Sequence, residues 1–177
     1  MQNPEVEIEG VVQLLTCAAS PNIQQDAVRK YFASDASFRH PTLYVEPAPN
    51  SREGVLGIYQ WYRITLSYIE LSVDSITYDG KQSLLFLDTS QVVRVRFSPF
   101  SPARIRVLSR IAFREEGGLH YITSQEDFYH AEDIVAAMLP PLARFVSLML
   151  RISGFWCGLS ARVAQAVFGV WRPRREN

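Results

Sequence analysis

Residues 103–130, which read ARIRVLSRIAFREEGGLHYITSQEDFYH, hold two alternating runs joined by a glycine-containing turn. In the first run, mostly basic positions alternate with mostly apolar ones: Arg104, Arg106, Leu108 and Arg110 against Ile105, Val107, Ser109 and Ile111. Successive side chains of a β-strand point to opposite faces, so this run predicts a strand with one wet face and one mostly buried face. Glu115-Glu116-Gly117-Gly118 then predicts a turn into another strand over 119–130.

The preceding chain supplies more of the same fold. Apolar residues at helical spacing predict three helices, at 5–16, 22–33 and 51–68. Period-two alternation then predicts two strands, at 70–79 and 83–98. We expect the second helix to end within 32–38, the proline-rich segment 41–50 to be loop or short edge structure, and Ser51 with Glu53 to cap the third helix. Three helices followed by a four-stranded antiparallel meander indicate an α+β fold.

Composition narrows the class of protein. The 177 residues carry 18 basic and 18 acidic side chains and are 47% hydrophobic, so one folded domain with a real core is expected, and neither a disordered chain nor a nucleic-acid-binding protein. The equal numbers of basic and acidic residues are unevenly distributed, because residues 134–177 hold six arginines and one glutamate, a net charge of +5. We therefore predict two parts, a domain at 1–133 and a helical tail at 134–177.

Cysteine usage and the N-terminus bear on the compartment. Cys17 and Cys157 cannot form a disulfide framework, and the first residues lack the basic and apolar regions of a secretory signal. The expected location is therefore intracellular. Neither cysteine has the neighbours of a zinc site, so the sequence predicts no metal and no cofactor.

Three motifs carry a resemblance to a known family. They are the Tyr31-Phe32-Ala33-x-Asp35-Ala36-x-Phe38-x-His40-Pro41 segment, Ser90-Gln91-Val92, and the closing Ser124-Gln125-Glu126-Asp127-Phe128-Tyr129. Together with the element order, they resemble the NTF2-like (SnoaL-like) superfamily, and within it the fungal SigF-like branch. The resemblance implies a curved sheet wrapped around a long helix to form a cone with one deep pocket. Such cones serve ketosteroid isomerases, polyketide cyclases, scytalone dehydratase and limonene-type epoxide hydrolases, and also non-catalytic proteins.

Two titratable residues match catalytic positions of the family. His40 precedes Pro41 where ketosteroid isomerases have their catalytic aspartate, and it is either an acid–base group or a capping residue at the pocket rim. Asp127 falls where the epoxide hydrolases have a carboxylate on the last strand. Alternation places Asp127 on one face with four neighbours, Tyr121, Thr123, Gln125 and Tyr129. If that face lines the cone, burial raises the pKa of Asp127; if it faces outward, Asp127 is an ordinary solvated charge.

Four further side chains are predicted to contact substrate. Gln91 lies where the epoxide hydrolases have an Arg-x-Asp pair, so it can position water or a substrate oxygen, or it is a buried structural amide. Tyr59 and Tyr62 share one face of the third helix and either polarise a substrate oxygen or fill the core. Tyr129 completes this set through its position beside Asp127.

The arginines fall into two groups with different expected roles. Arginines at six positions of the sheet are expected to form a solvated face, or a surface for a homodimer, rather than a nucleic-acid site: Arg94, Arg96, Arg104, Arg106, Arg110 and Arg114. In the tail, Arg144, Arg151 and Arg162 share one helical stripe. The longest uncharged stretch of the tail, 152–161, is shorter than the roughly 20 residues of a membrane span.

We therefore expect the tail to be a helix or helical hairpin lying on a membrane surface at its cytoplasmic side, with Gly154 and Gly158 available for a bend. Trp171 and Arg172-Pro173-Arg174-Arg175 would add to this surface. The alternatives are that the tail covers the mouth of the cone as a lid, or that it forms a dimer seam.

These observations lead to two hypotheses for function. The first is a cofactor-independent enzyme of polyketide or terpenoid biosynthesis that opens an epoxide, or cyclises or isomerises a lipophilic substrate. In it, Asp127 activates the nucleophile or delivers a proton, and His40 is the acid–base counterpart. The second is a non-catalytic module that binds a small molecule or a partner and is tethered to a membrane by residues 134–177.

Overall fold

The computed structural model describes residues 1–172 of the chain. Its helices are α1 (Pro4–Thr16), α2 (Pro21–Tyr31), α3 (Arg52–Thr65), α4 (Ala131–Met138) and α5 (Pro140–Val167). Its strands are β1 (Phe32–His40), β2 (Leu43–Val45), β3 (Leu66–Asp79), β4 (Leu84–Val95), β5 (Ala103–Glu116) and β6 (Leu119–Tyr129). Pro173, Arg174 and Arg175, which the sequence places among the basic residues at the end of the tail, lie outside the described residues.

The strands form one sheet in the order β2-β1-β6-β5-β4-β3. Strands β3 to β6 make the predicted antiparallel meander. The structure adds β1, which runs parallel to β6, and the short edge structure expected within 41–50 is the three-residue strand β2, antiparallel to β1. Residues 32–38 were expected to end the second helix. They form a strand instead, because Phe32, Ala36 and Phe38 bury on one side while β6 supplies a hydrogen-bonding partner distant in sequence.

The N-terminal helices pack on the inner face of this sheet. Helix α2 begins after Ser20, whose hydroxyl accepts a hydrogen bond from the backbone N–H of Ile23. Ser51 does not cap α3 as expected; its hydroxyl donates to the carbonyl of Ala36 at 2.7 Å and joins the start of α3 to β1. Helix α3 ends at Thr65, earlier than predicted, and β3 follows without a loop.

The core lies between these helices and the sheet. Its fully buried side chains come from α1, α2, α3, β1, β4, β5 and β6, and include Ile8, Phe32, Phe38, Leu85 and Ile111. Along β4 and β5, the polar residues Thr89, Gln91 and Ser109 lie between this core and the end of the sheet at Val93 and Ile105, which is termed the open end of the cone.

A β-bulge in β6 changes which of its residues face inward. Gln125 pairs with Ile111 and Ser124 with Ala112, but Ile122 pairs with Phe113, so Thr123 is an extra residue. The alternation is therefore reset at Thr123. Ile122 is buried in the core, while Tyr121 pairs with Arg114 on the outer face. The expectation that Tyr121 and Thr123 share the face of Asp127 is wrong for this reason.

The C-terminal helices differ in their packing. Helix α4 lies on the inner face of β4 and β5, where Ala137 contacts a buried cluster of Val93, Ile105 and Val107. The predicted boundary between residues 133 and 134 falls inside this helix. Helix α5 continues without interruption through Gly154 and Gly158, so the tail is not a helical hairpin that turns at these glycines.

Helix α5 is about 42 Å long, from its 28 residues and a rise of about 1.5 Å per residue. None of the residues Pro140–Val167 is buried. By length and composition, this helix is long and apolar enough to cross a membrane. Its main packing partner within the described chain is α4.

Candidate active site

A small cavity of about 40 Å³ lies between α3 and the inner faces of β4, β5 and β6. Five residues singled out from the sequence line it: Gln91, Tyr59, Tyr62, Asp127 and Tyr129. The cavity also has polar side chains that the sequence did not single out for chemistry, namely Thr16, Thr89, Ser109 and Gln125. A wider groove of about 580 Å³ beside the β1–β2 turn is open to solvent, and we place the candidate site in the enclosed cavity because its polar groups are desolvated.

Asp127 is the carboxylate of this cavity, and its side chain is held by two donors. The Ser109 hydroxyl donates to Oδ1 at 2.6 Å, and the Gln125 Nε2 donates to Oδ1 at 3.0 Å and to Oδ2 at 3.3 Å. Gln125 is itself fixed, because the Tyr59 hydroxyl donates to its Oε1 at 2.8 Å. The hydrogen bonds thus run from α3 through β6 to the carboxylate, and Oδ2 is the less occupied oxygen.

Burial sets the charge of this carboxyl group. Asp127 is only 7% exposed, and desolvation raises its pKa from 3.8 to about 6, although the hydrogen bonds from Ser109 and Gln125 act in the opposite direction. Near neutral pH the group is therefore mostly ionised and still close enough to its pKa to accept and return a proton.

Tyr62 brings a hydrogen-bond donor to the same cavity. Its hydroxyl oxygen is buried and has no partner among the described residues. Desolvation raises the pKa of Tyr62, and the charge of Asp127 adds to this, so the phenol keeps its proton. Burial raises the pKa of Tyr129 in the same way. The cavity therefore combines one proton acceptor with a phenol that is free to donate to a bound oxygen atom.

His40 stands at the end of β1, outside this hydrogen-bonded group. Its ring packs edge-on against Tyr129, with centroids 4.9 Å apart, and lies 6.2 Å from the ring of Tyr62. The Thr42 backbone N–H donates to its Nδ1 at 3.2 Å, which places the proton of the neutral ring on Nε2. Desolvation lowers the pKa of His40. In the described chain, no hydrogen bond joins His40 to Asp127, and the acid–base role of His40 stays a prediction.

Gln91 is weakly held compared with Gln125. Its Nε2 lies 3.5 Å from the hydroxyl of Thr89, which in turn donates to the carbonyl of Val107 at 3.3 Å. An amide with one long contact in a cavity can still reorient toward a ligand. Its role in binding substrate, like that of the three tyrosines, stays a prediction.

The alternation of the sequence places Ser109 and Gln125 at inward strand positions, but it does not assign a chemical role to either. Ser109 is the one polar residue among the inward positions 105, 107, 109 and 111 of β5, and Gln125 lies two residues before Asp127. A hydroxyl at an inward strand position is a signal that it contacts another buried polar group. Among residues 1–172, no three His, Cys, Asp or Glu side chains are grouped so as to hold a metal ion.

Comparison with known families identifies the group of proteins to which this cone belongs. The family model described as the SigF NTF2-like domain matches residues 1–170. The chain belongs to this family. The match runs through α4 and nearly all the described part of the tail, so both are included in the SigF NTF2-like domain as the family defines it. No curated protein matches the sequence.

Solved structures similar to this SigF NTF2-like domain share its fold at low identity. An NTF2-like protein from Anabaena variabilis is 13% identical over 75% of this chain and 92% of its own, with a TM-score of 0.57. A protein with a ketosteroid isomerase-like fold from Catenulispora acidiphila, in complex with trimethylamine, is 16% identical over 72% and 90%, with a TM-score of 0.54. A SnoaL-like family member from Agrobacterium tumefaciens is 12% identical over 72% and 97%, with a TM-score of 0.55. These likenesses show the fold alone.

Proposed function

We propose that this protein is a cofactor-independent enzyme that performs proton-transfer chemistry on a lipophilic small molecule in the cone. The observation that carries the proposal is the pairing of a buried Asp127, with its pKa raised to about 6, and a buried Tyr62 hydroxyl without a partner in the described chain. An acid–base group works best when its pKa lies near the working pH. The ketosteroid isomerase-like fold of a similar structure supports the same class of role.

The preferred reaction is epoxide opening by water or by an internal hydroxyl of the substrate. Ionised Asp127 accepts a proton from the nucleophile at Oδ2, and the nucleophile forms a bond to one epoxide carbon. The bond between that carbon and the epoxide oxygen breaks. Tyr62 donates a hydrogen bond to the departing oxygen, which then receives the proton held on Asp127. Gln91 and Tyr129 orient the substrate, and His40 assists proton exchange at the open end of the cavity.

Isomerisation is the alternative within the same class of enzyme. It needs one base to move a proton between two carbons and one donor to hold a carbonyl oxygen, and Asp127 and Tyr62 supply both. The Arg-x-Asp pair of limonene-type hydrolases is replaced here by Thr89-Ser90-Gln91. The product distinguishes the reactions: hydrolysis adds a water, whereas epoxide opening by an internal hydroxyl keeps the mass and is recognised by the cyclic ether that it forms.

The expected substrate is apolar and enters by widening the site. Aliphatic side chains of Leu87, Val107 and Ile111 line the cavity beside its polar groups. Its volume suits a few water molecules, whereas pockets that bind small organic molecules have about 300–1,000 Å³. Helix α4 lies beside Val107 at the open end, and its displacement would enlarge the space. A polyketide or terpenoid substrate is proposed from the family resemblance.

The test is product analysis in labelled water. Purified protein is incubated with metabolite extracts from a strain that lacks its gene, in water containing heavy oxygen, and products are identified by mass spectrometry. A metabolite that gains one labelled water indicates epoxide hydrolysis, and one that changes structure at constant mass indicates cyclisation or isomerisation. We expect Asp127→Asn to slow the reaction by about 100- to 10,000-fold.

The matched control is Asp35→Asn, which neutralises an exposed carboxylate paired with Arg114 and should leave the rate unchanged. Equal losses in both variants would remove Asp127 from the mechanism. Full activity of Asp127→Asn would do the same.

A non-catalytic binding module is the second candidate, favoured by the small size of the cavity and by the two donors that already hold Asp127. It predicts that replacing His40 and Asp127 leaves ligand binding and phenotype unaffected, while removal of residues 134–177 abolishes both. The enzyme proposal predicts the opposite sensitivity. Conversion of no metabolite by the intact protein, together with this pattern, would decide for the module.

A further inference from the structure

Helix α5 presents an apolar surface that nothing in the described chain covers. Exposed large side chains recur along one side of it, including Leu142, Phe145, Met149, Ile152, Trp156 and Val163. At about 100° per residue, these six lie about 80–160° around the helix from Arg144, on one continuous arc. A monomeric soluble protein rarely exposes an apolar surface of this extent, so the arc calls for an apolar environment.

The basic residues of α5 occupy a separate line on the same helix. Arg144, Arg151 and Arg162 fall within about 20° of one another around the axis. The helix contains no acidic residue between Pro140 and Val167, and Arg172 follows it. The charge is therefore uniformly positive, and it complements an anionic surface. Phe155 lies beside this line. The arginine side chains are long enough to extend past the Phe155 ring, so their guanidinium groups can reach water or phosphate.

Helix α5 has the length and composition of a span, but the position of Arg151 favours lying on a membrane over crossing it. A span needs about 20 consecutive apolar residues. Within α5 and the residues that follow it, the longest uncharged stretches are 152–161 and 163–171, and each is shorter than a span. A crossing helix would have to bury at least one arginine in hydrocarbon, whereas a helix in the plane of the interface places all three at the level of the phosphates.

The folded cone contributes apolar residues at its own open end. Phe97 is 97% exposed in the β4–β5 loop, and Ile64 is 69% exposed near the end of α3. The two segments are joined, because the Arg96 side chain donates to the carbonyls of Arg63 and Ile64. This end of the sheet is also where α4 packs on Val93 and Ile105. Apolar contacts of the cone and the start of α5 thus belong to the same end of the molecule.

We propose that α5 lies in the plane of an anionic lipid bilayer, with its apolar arc among the acyl chains and Arg144, Arg151 and Arg162 at the phosphate groups. This surface association does not depend on the reaction in the cone, and its failure would leave the proposed chemistry intact. It delivers the open end of the cone to the membrane, from which an apolar ligand can pass without crossing water.

The first test measures partition of the full chain onto vesicles. We expect binding to phosphatidylcholine vesicles that contain phosphatidylserine, and much weaker binding without it. Replacing Arg144, Arg151 and Arg162 together by Gln should weaken binding to the anionic vesicles about 100-fold. The matched control replaces Arg94, Arg104 and Arg110, on the outer face of the sheet, by Gln. An equal loss in the control would show that overall charge binds the vesicles, and it would overturn the proposal.

The second test measures depth in the membrane. In a chain with Cys17→Ser and Cys157→Ser, single cysteines at positions 142, 149 and 163 carry spin labels on the apolar arc, and one at 147 carries a label on the other side. An in-plane helix places the first three labels at one shallow depth and the fourth in water. Depth that changes steadily along the helix would indicate a span and overturn the proposal. Pairing of α5 with a second copy, detected as a lipid-free dimer that does not bind vesicles, would also overturn it.

Discussion

The cone and helix α5 differ in which side chains they bury. In the cone, Asp127, Gln125 and Ser109 are buried and joined by hydrogen bonds, and the apolar residues around them are buried too. In α5, large apolar side chains such as Phe145 and Trp156 are exposed. The cone therefore partners most of its buried polar side chains internally, the Tyr62 hydroxyl being an exception, whereas α5 leaves its apolar side chains uncovered by the described chain.

Buried polar groups in the cone and exposed apolar groups in α5 favour different kinds of interaction. A desolvated polar group costs free energy unless it is partnered, so the unpartnered phenol of the cone, beside the buried carboxylate, supports the proposed chemistry. An uncovered apolar helix costs free energy in water and indicates association. Four predictions sharpen this contrast, from the largest expected effect to the smallest.

Truncation of a phenylalanine should have very different effects in the two regions. Phe38 is fully buried in the core, so we expect Phe38→Ala to lower the free energy of unfolding by about 3–5 kcal/mol. Phe145 is exposed, and in the absence of lipid Phe145→Ala should change stability by less than about 0.5 kcal/mol. Urea denaturation of both variants measures this. A comparable loss for Phe145→Ala would mean that α5 is part of the cooperative core.

The stability of the cone should fall as Asp127 ionises. Its folded pKa of about 6 lies above the ordinary value of 3.8, so the protonated form is favoured by folding and its contribution is lost as the pH rises from about 4 through 6. The difference in pKa corresponds to about 3 kcal/mol.

Asp127→Asn removes this titration, so its free energy of unfolding relative to the parent should increase by about that amount between pH 4 and pH 7. Denaturation at a series of pH values tests it. A difference that is constant with pH would show that Asp127 is not desolvated.

Two tyrosines of α3 offer a matched pair that separates a partnered hydroxyl from an unpartnered one. Tyr59→Phe leaves the Oε1 of Gln125 without its donor, so we expect a loss of about 1–3 kcal/mol in the free energy of unfolding. Tyr62→Phe removes a hydroxyl that has no partner in the described chain, so stability should be unchanged or higher. The same Tyr62→Phe change should slow catalysis. Equal destabilisation by the two substitutions would contradict the assigned network.

The smallest effect is expected on the outer surface of the sheet. Arg114 forms ion pairs with Asp35 and Glu116, and all three side chains are well exposed. Because solvent and salt screen such pairs, Arg114→Ala should leave the denaturation midpoint within experimental error, and added salt should remove any residual change. A clear, salt-resistant decrease would assign a structural role to this face.

Much of the fold follows from local pattern, and its exceptions have long-range causes. The meander β3 to β6 and the N-terminal helices are readable from alternation and helical spacing. Strand β1 is not, because the pairing that makes residues 32–40 a strand comes from β6, more than eighty residues later. No local period reports a parallel partner at that distance.

The candidate site divides in the same way. Alternation correctly places Gln125, Asp127 and Tyr129 together, and the cavity brings Tyr59 and Gln91 to them. It cannot show that Ser109 faces Asp127, because that contact depends on the register between β5 and β6. The position of His40 depends on β1, so local sequence pattern does not predict its ring contact with Tyr129.

The bulge at Thr123 has a consequence for comparing this chain with its relatives. Inward and outward positions along β6 are counted by parity, odd or even, and the extra residue reverses the parity on one side of it. A relative with a regular strand would align correctly near Ile122 and then place its equivalent of Glu126 against the cavity in place of Asp127. A gap opposite Thr123 restores the match, so a one-residue offset in an alignment is enough to make a counterpart of Asp127 seem absent when it is present.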